Sequence, residues 1–342
     1  MNALLNEICG KYTIPQETKA AGIYPYYKPI SSGQDPIVKM ADGSSVMMFG
    51  SNSYLGLSDD PRLKEAAIKA IEKYGTSCSG SRFLNGTLDI HEELEEKLAR
   101  FVGKDQAVTF STGFQVNLGV ISALGFRGGY ILLDDTDHAC IIDGSRLSWS
   151  TVYKFKHNDM EALEKKLKAC EPHAPKMIVV DGVYSMLGDL CPLPQICELA
   201  EKYNASVMVD DAHGLGVFGK NGSGTADYFG LTDKVDLIMG TFSKSFGSLG
   251  GFIAGSEPVI NYLKHNARSL IFSASMTPAA VTAASKALDI MQSEPERIEH
   301  LWDITRYAHA KFRENGFDIN ATQSPIIPLM VRDTRKAMQI VT

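Results

Sequence analysis

The chain contains no Cys-x-x-Cys pair: its six cysteines (Cys9, Cys78, Cys140, Cys170, Cys191 and Cys197) fall at irregular spacings. Neither a zinc site nor a disulfide framework follows from such spacing. No metal is expected, and reduced thiols suit a cytoplasmic protein. No stretch approaches the ~20 apolar residues of a membrane span, and residues 1–7 lack the basic start and apolar core of a signal peptide. Peripheral contact at the inner membrane face stays open. An excess of positive charge is missing as well. The net charge is -6 and the Lys and Arg residues are scattered, so nucleic acid is not an expected partner. Internal repeats and low-complexity segments are absent.

What is present is an ordinary globular balance, 44% apolar and 22% charged over 342 residues. That length suits one large domain and part of a smaller one. Residues 1–60, rich in turns and tyrosine, read as an arm or lead-in. Residues 61–292 read as the large domain and 293–342 as the start of a small C-terminal domain. A helix is expected from Asp60, a good N-cap, through Pro61 at its first position to a stop at Gly75. A second is expected at about 90–102, with Leu94 and Leu98 inward and Glu92, Glu93, Glu95 and Glu96 on a solvated face. Strands are expected near 107–110, 130–134, 176–181, 205–210, 235–240 and 251–254, alternating with helical stretches. That rhythm predicts parallel strands with crossover helices, an α/β fold, whose ligands bind beyond the carboxyl ends of the strands. A long helix at 297–315 and strands at 317–320 and 325–331 are expected in the smaller domain.

Chemistry-bearing residues gather at those strand ends. Thr241-Phe242-Ser243-Lys244 follows an apolar run and precedes a glycine-rich turn. A lysine amine there suits a Schiff base with an aldehyde, and the hydroxyls beside it suit a phosphate. The pair points to pyridoxal phosphate (PLP). Asp210 ends another apolar run, and a buried carboxylate would keep the PLP ring nitrogen protonated; His213 lies three residues on. Ser111-Thr112-Gly113-Phe114 opens a helix, whose N–H groups favour an anion, and Gly113 admits a phosphate closely. His138 follows a fourth strand and suits stacking on the ring. Ser185 follows a fifth, within reach of the phenolic oxygen. Taken singly, each also fits a bland role: a surface lysine, a loop-capping aspartate, a plain helix cap, a loop histidine, a turn hydroxyl. The specificity lies in the set.

The set resembles the α-oxoamine synthase family of fold-type I PLP enzymes. The matching segments are residues 80–87, 111–114, 137–138, 210–213, 241–244 and 272–275, and the likeness runs from residue 52 to the end. Within the family, residues 80–96, 157–160, 232–244 and 264–268 read like the soluble bacterial serine palmitoyltransferases. The resemblance implies an aspartate aminotransferase-like fold: a large, mostly parallel-sheet domain and a smaller α+β C-terminal domain. It implies PLP, a homodimer with shared active sites, and condensation of L-serine with palmitoyl-CoA, a long-chain acyl-CoA, giving 3-ketodihydrosphingosine, CoA and CO2. By that likeness Lys244 would hold the PLP aldehyde and act as base, Asp210 would hold the ring nitrogen, and His213 and Ser185 would sit at the phenolic oxygen. His138 would stack on the ring and orient the amino-acid carboxylate. The Gly113 and Phe114 amides, Thr241 and Ser243 would bind phosphate. Ser273 and Ala274 would cross to the other subunit's phosphate, and Asn52 and Ser81 would lie near substrate. An 8-amino-7-oxononanoate synthase, a 2-amino-3-ketobutyrate CoA ligase and a non-catalytic partner subunit on the same fold are the alternatives. Family members continue past Thr342 and carry there an arginine that resembles a carboxylate clamp; no residue of this sequence is assigned that role.

Overall fold

The computed structural model describes residues 3–342. A small antiparallel hairpin, β1 (Ile37–Lys39) and β2 (Ser45–Met47), lies in the exposed lead-in. The main sheet has seven strands: β3 (Gln106–Phe110), β4 (Tyr130–Asp134), β5 (Thr151–Phe155), β6 (Lys176–Asp181), β7 (Ser206–Asp210), β8 (Leu237–Thr241) and β9 (Gly251–Gly255). Their order is β3-β9-β8-β7-β6-β4-β5, and β9 alone runs against its neighbours.

The central strands are continuous apolar runs because helices cover both sheet faces. Successive residues point to opposite sides, and the chain fills two cores accordingly. Leu132, Ile178, Val180, Val207, Val209 and Ile238 enter one. Ile131, Leu133, Met177, Val179, Met208 and Met239 enter the other. The helix Pro61–Tyr74 forms as expected: the Asp60 carboxylate accepts from Arg62 N at 2.9 Å, and Gly75 takes φ 82° past its end. The long helix is Glu296–Glu314.

Three expectations are corrected. β5 was not foreseen; it is an edge strand, mostly exposed or half-buried. Residues 317–320 and 325–331 form no strands. Pro325 and Pro328 remove ladder donors there, and the preceding Thr322 and Gln323 bond instead to the Gly188 carbonyl. Finally, Glu95 does not face solvent. It is buried in the helix Asp89–Phe101, ion-paired with Arg82, and accepts from Thr109 N and Oγ1 of β3, each at 2.8 Å.

One group links the fold to pH. Asp211, just past β7, is fully buried; its carboxylate accepts from Thr225 N at 2.6 Å and Thr225 Oγ1 at 3.0 Å. Burial pushes its pKa up to about 7 against the Thr225 hydrogen bonds. A carboxyl whose folded pKa is raised holds its proton more tightly in the folded state. Its contribution to stability is therefore full below the unfolded value and is lost as pH rises through about 7. Asp211→Asn keeps an acceptor for Thr225 N, and the threonine hydroxyl can turn to accept from the new amide. Urea unfolding from pH 4 to 8 is expected to show wild type losing stability relative to Asp211→Asn as pH rises; parallel curves would refute it.

Candidate active site

The strands β4, β6, β7 and β8 end on Asp134, Asp181, Asp210 and Thr241, so their carboxyl ends present polar groups along one sheet edge. Beyond that edge lies a cavity of about 270 Å³, lined among others by Gly113, His138, Cys140, Asp210, His213 and Lys244. A larger hollow of about 550 Å³ lies at the opposite edge. There the buried Lys176 gives its Nζ to the carbonyls of Glu171, Pro172 and Ala174, and Lys104 gives its own to Thr232 and Val235. Those ammonium groups tie down the loops that lead into the strands; the smaller cavity is where reactive groups converge.

Asp210 is held rigidly. Its Oδ2 accepts from Asn117 Nδ2 at 2.6 Å and its Oδ1 from Ala212 N at 3.0 Å. His138 N-caps the helix Ala139–Arg146, and its backbone N–H donates to the buried Asp181 carboxylate at 3.0 Å. Asp181 is pushed well above the usual carboxylate range, by burial first and then by Asp210. Asp137, whose Oδ1 accepts from Asp181 N at 3.1 Å, is raised likewise by burial and by Asp181.

His213 lies deep in the wall, its Nδ1 2.7 Å from Tyr54 Oη. Burial, then the nearby Lys244 and His138, lowers its pKa to about 3, so it is a neutral imidazole at physiological pH. Lys244 sits in the turn after β8, between the fully buried rings of Phe242 and Phe246. Its amine has no hydrogen-bond partner among the described residues. Burial lowers its pKa against the pull of Asp210 and Asp181.

Between the start of the helix Gly113–Leu124 and β8 is a cradle. A Cβ built on Gly113 would stand 2.7 Å from Thr241 Oγ1 and 2.9 Å from Thr241 Cβ. Thr112 caps the helix by accepting from Gln115 N at 3.2 Å, leaving the earlier N–H groups to face the cavity mouth. Thr241 Oγ1 donates to Gly250 O at 3.1 Å and lies 3.0 Å from Ser243 Oγ. The cradle thus combines backbone N–H groups, a helix N-terminus and the Ser243 hydroxyl, with the Thr241 hydroxyl beside them able to turn from Gly250 O toward an anion.

Residues 44–342 match the aminotransferase class I and II family. The chain belongs to that family. It is 60% identical over 337 residues to the serine palmitoyltransferase of Bacteroides ovatus, covering 98% of this chain and 85% of that one. The 8-amino-7-oxononanoate synthase of Symbiobacterium thermophilum is more distant, 46% identical over 323 residues, with 94% of this chain and 82% of that one covered. Among solved structures, a serine palmitoyltransferase from S. paucimobilis with bound PLP and myriocin superposes with a TM-score of 0.93. It is 34% identical and covers 98% of this chain and 85% of its own. The mostly parallel seven-stranded sheet is the fold-type I architecture expected from the motifs.

Of the residues singled out in the sequence, Gly113, Phe114, His138, Ser185, Asp210, His213, Thr241, Ser243 and Lys244 all line this cavity. Asn52, Ser81, Ser273 and Ala274 do not. Ser273 Oγ accepts from Gln115 Nε2 at 3.0 Å beside the cradle, and Ala274 and Asn52 are exposed. Sequence reasoning missed Asn117, Cys140, Asp181 and Tyr54. Two of these had a local signal: Asp181 ends an apolar strand as Asp210 does, and Asn117 lies about one helical turn after Gly113.

Proposed function

We propose that the protein is a PLP-dependent serine palmitoyltransferase, joining L-serine to palmitoyl-CoA to give 3-ketodihydrosphingosine, CO2 and CoA. The observation that carries this reading is that Lys244 and Asp210 open into one cavity beside an anion cradle. The 60% identity to a serine palmitoyltransferase supports the choice of substrates.

The cavity fits PLP. Lys244 has an amine without a protein partner, Asp210 is oriented by two donors, and Gly113 leaves open the space a side chain would fill. Lys244 would hold the aldehyde carbon and Asp210 the ring nitrogen. His138 would cover a ring face, while His213 and Ser185 would flank the phenolic oxygen. The Gly113 and Phe114 amides, with Thr241 and Ser243, would hold the phosphate. PLP there supplies the electron sink that lets an amino acid lose its Cα proton and its carboxylate.

The chain's own groups do the rest. Lys244, its pKa lowered by burial, is more readily a free amine at neutral pH and takes the Cα proton of serine at Nζ. His138 donates to the serine carboxylate, restraining its early departure. His213, neutral, puts no second positive charge beside Lys244. Asn52 and Ser81, which do not line the cavity, would on this reading contact the substrate outside it. The working unit is a homodimer, in which Ser273 and Ala274 serve the other subunit's phosphate. Their position outside their own cavity and the exposed Phe272 beside them support this. On this reading the protein works in the cytoplasm, which its six free thiols suit.

Gly113→Ala is expected to weaken PLP binding by at least about tenfold, because the new methyl would meet Thr241 where the phosphate is cradled. Titration of the visible PLP absorbance measures it; unchanged affinity would remove the cradle from the scheme. CoA release with PLP and three substrate pairs tests the function as a whole. Serine with palmitoyl-CoA is expected to turn over selectively. Turnover of alanine with pimeloyl-CoA, or glycine with acetyl-CoA, would replace the substrates, and no turnover with any pair would favour a non-catalytic partner subunit.

A further inference from the structure

Behind His138 a row of buried groups runs to Asp210, and the direction of every hydrogen bond in it follows from its two ends. At one end, the Asp210 Oδ2 lies 2.6 Å from Asn117 Nδ2. A carboxylate only accepts, so the Asn117 amide must present its N–H₂ there; the reversed amide would set two acceptors against each other. This orientation leaves Asn117 Oδ1 buried without a partner, which measures how strongly Asp210 dictates it. The same Nδ2 lies 3.0 Å from Cys140 Sγ, so its second hydrogen points at sulfur and the sulfur accepts.

At the other end, His138 Nδ1 lies 3.3 Å from Cys140 N and 2.8 Å from Cys140 Sγ. A backbone N–H can only donate, so Nδ1 carries no proton in this arrangement and acts as acceptor. The Cys140 thiol already takes a hydrogen bond at sulfur and has its own S–H left for Nδ1. Burial, then the charge of Asp210, pushes this thiol's pKa up to about 12, so the S–H is retained at physiological pH. With Nδ1 accepting, the imidazole proton sits on Nε2, the other ring nitrogen.

We infer that Cys140 is a positioning residue, which with Asn117 holds His138 as the Nε2–H tautomer, aimed to donate to the substrate carboxylate, and ties it to the Asp210 carboxylate. The part that concerns substrate rests on the serine palmitoyltransferase reading; the tautomer does not. The arrangement places a donor over the cofactor pocket. It also couples the two residues expected on the ring face and at the ring nitrogen: a shift of Asp210 pulls Asn117, and through Cys140 the imidazole.

Two readouts test this together. Protein labelled with ¹⁵N-histidine, with and without PLP, gives the tautomer of His138, its signals identified by their loss in His138→Gln. The Nε2–H form is expected in wild type and in Cys140→Ser, whose hydroxyl both accepts and donates, with a mixed population in Cys140→Ala. Steady-state kinetics of the PLP-loaded enzyme should show Cys140→Ser within about threefold of wild type. Cys140→Ala should lose about tenfold in kcat/KM for serine, mostly through KM, with KM for the acyl-CoA and the visible absorbance before serine unchanged. A Nδ1–H tautomer in wild type would overturn the inference. So would a Cys140→Ala variant matching wild type in both readouts, or a Cys140→Ser variant as damaged as Cys140→Ala. If wild type fails to turn over serine while His138 shows the Nε2–H form, the substrate reading falls and the tautomer assignment stands.

Discussion

Replacing Lys244 with alanine is expected to lower turnover by on the order of 10³-fold or more, the upper part of the range for removing a positioned proton-transfer group, and to abolish the visible absorbance that forms with PLP. Two neighbouring groups in the cavity cannot take over. His213 has a pKa lowered to about 3 and is too weak a base, and the Cys140 thiol is locked between Asn117 and His138. The fold should survive the change. Phe242 and Phe246 anchor the turn from both sides, and Ser245 Oγ donates to Leu215 O at 2.8 Å. Because burial works against the Lys244 charge, the alanine variant should be at least as resistant to heat as wild type without PLP. Turnover within tenfold of wild type, in a variant of normal stability, would remove Lys244 from the chemistry.

Glu95→Ala is expected to cost about 3–5 kcal/mol of stability, the range for breaking a buried ion pair on one side. Glu95 and Arg82 side chains are 7% and 9% exposed. Arg82 also donates to Thr109 Oγ1 at 2.7 Å and to Thr87 Oγ1 at 3.1 Å. Truncating the carboxylate leaves the guanidinium and Thr109 N in the interior without their acceptor. Three segments lose their common anchor: the loop holding residues 80–87, the helix Asp89–Phe101 and strand β3. Removing Arg82 and Glu95 together with well-filling apolar side chains should cost less than the two single changes summed, because no uncompensated charge remains. Urea unfolding at fixed protein concentration reads both. A loss under about 1 kcal/mol for Glu95→Ala would mean that water reaches the pair.

The same glutamate shows what was legible in the sequence and what was not. Helical periodicity placed Leu94 and Leu98 inward correctly, both being fully buried. It assigned Glu95 to solvent because the partners that reverse the preference lie outside the helix, one in a loop before it and one on the strand after it. Central strands such as β6, β7 and β8 were readable because burial on both faces demands unbroken apolar runs. The edge strand β5, with Thr151 and Lys154 exposed, carries no such run. Residues 325–331 misled in the opposite sense: they are apolar and extended in pattern, but two prolines withhold the donors a ladder needs. At the site, the groups that carry chemistry at strand ends were legible through the strands themselves. The groups that orient them were not, since Asn117 reaches Asp210 and Tyr54 reaches His213 only across the folded molecule.

The reversed strand β9 has a consequence for how the molecule is born. β3 is the first main-sheet strand to leave a ribosome, and its one neighbour in the sheet is β9, the last. Until β9 is synthesised and turned back on β8, β3 has no edge to join and Gly251 cannot lie against Gly113, where its backbone shapes the cradle. Closing so long a loop comes late in folding. A nascent chain can therefore build its central parallel strands during synthesis before the cradle is shaped, and capture of the phosphate group marks closure of the main sheet rather than of the whole domain, whose helix Pro278–Ser293 follows.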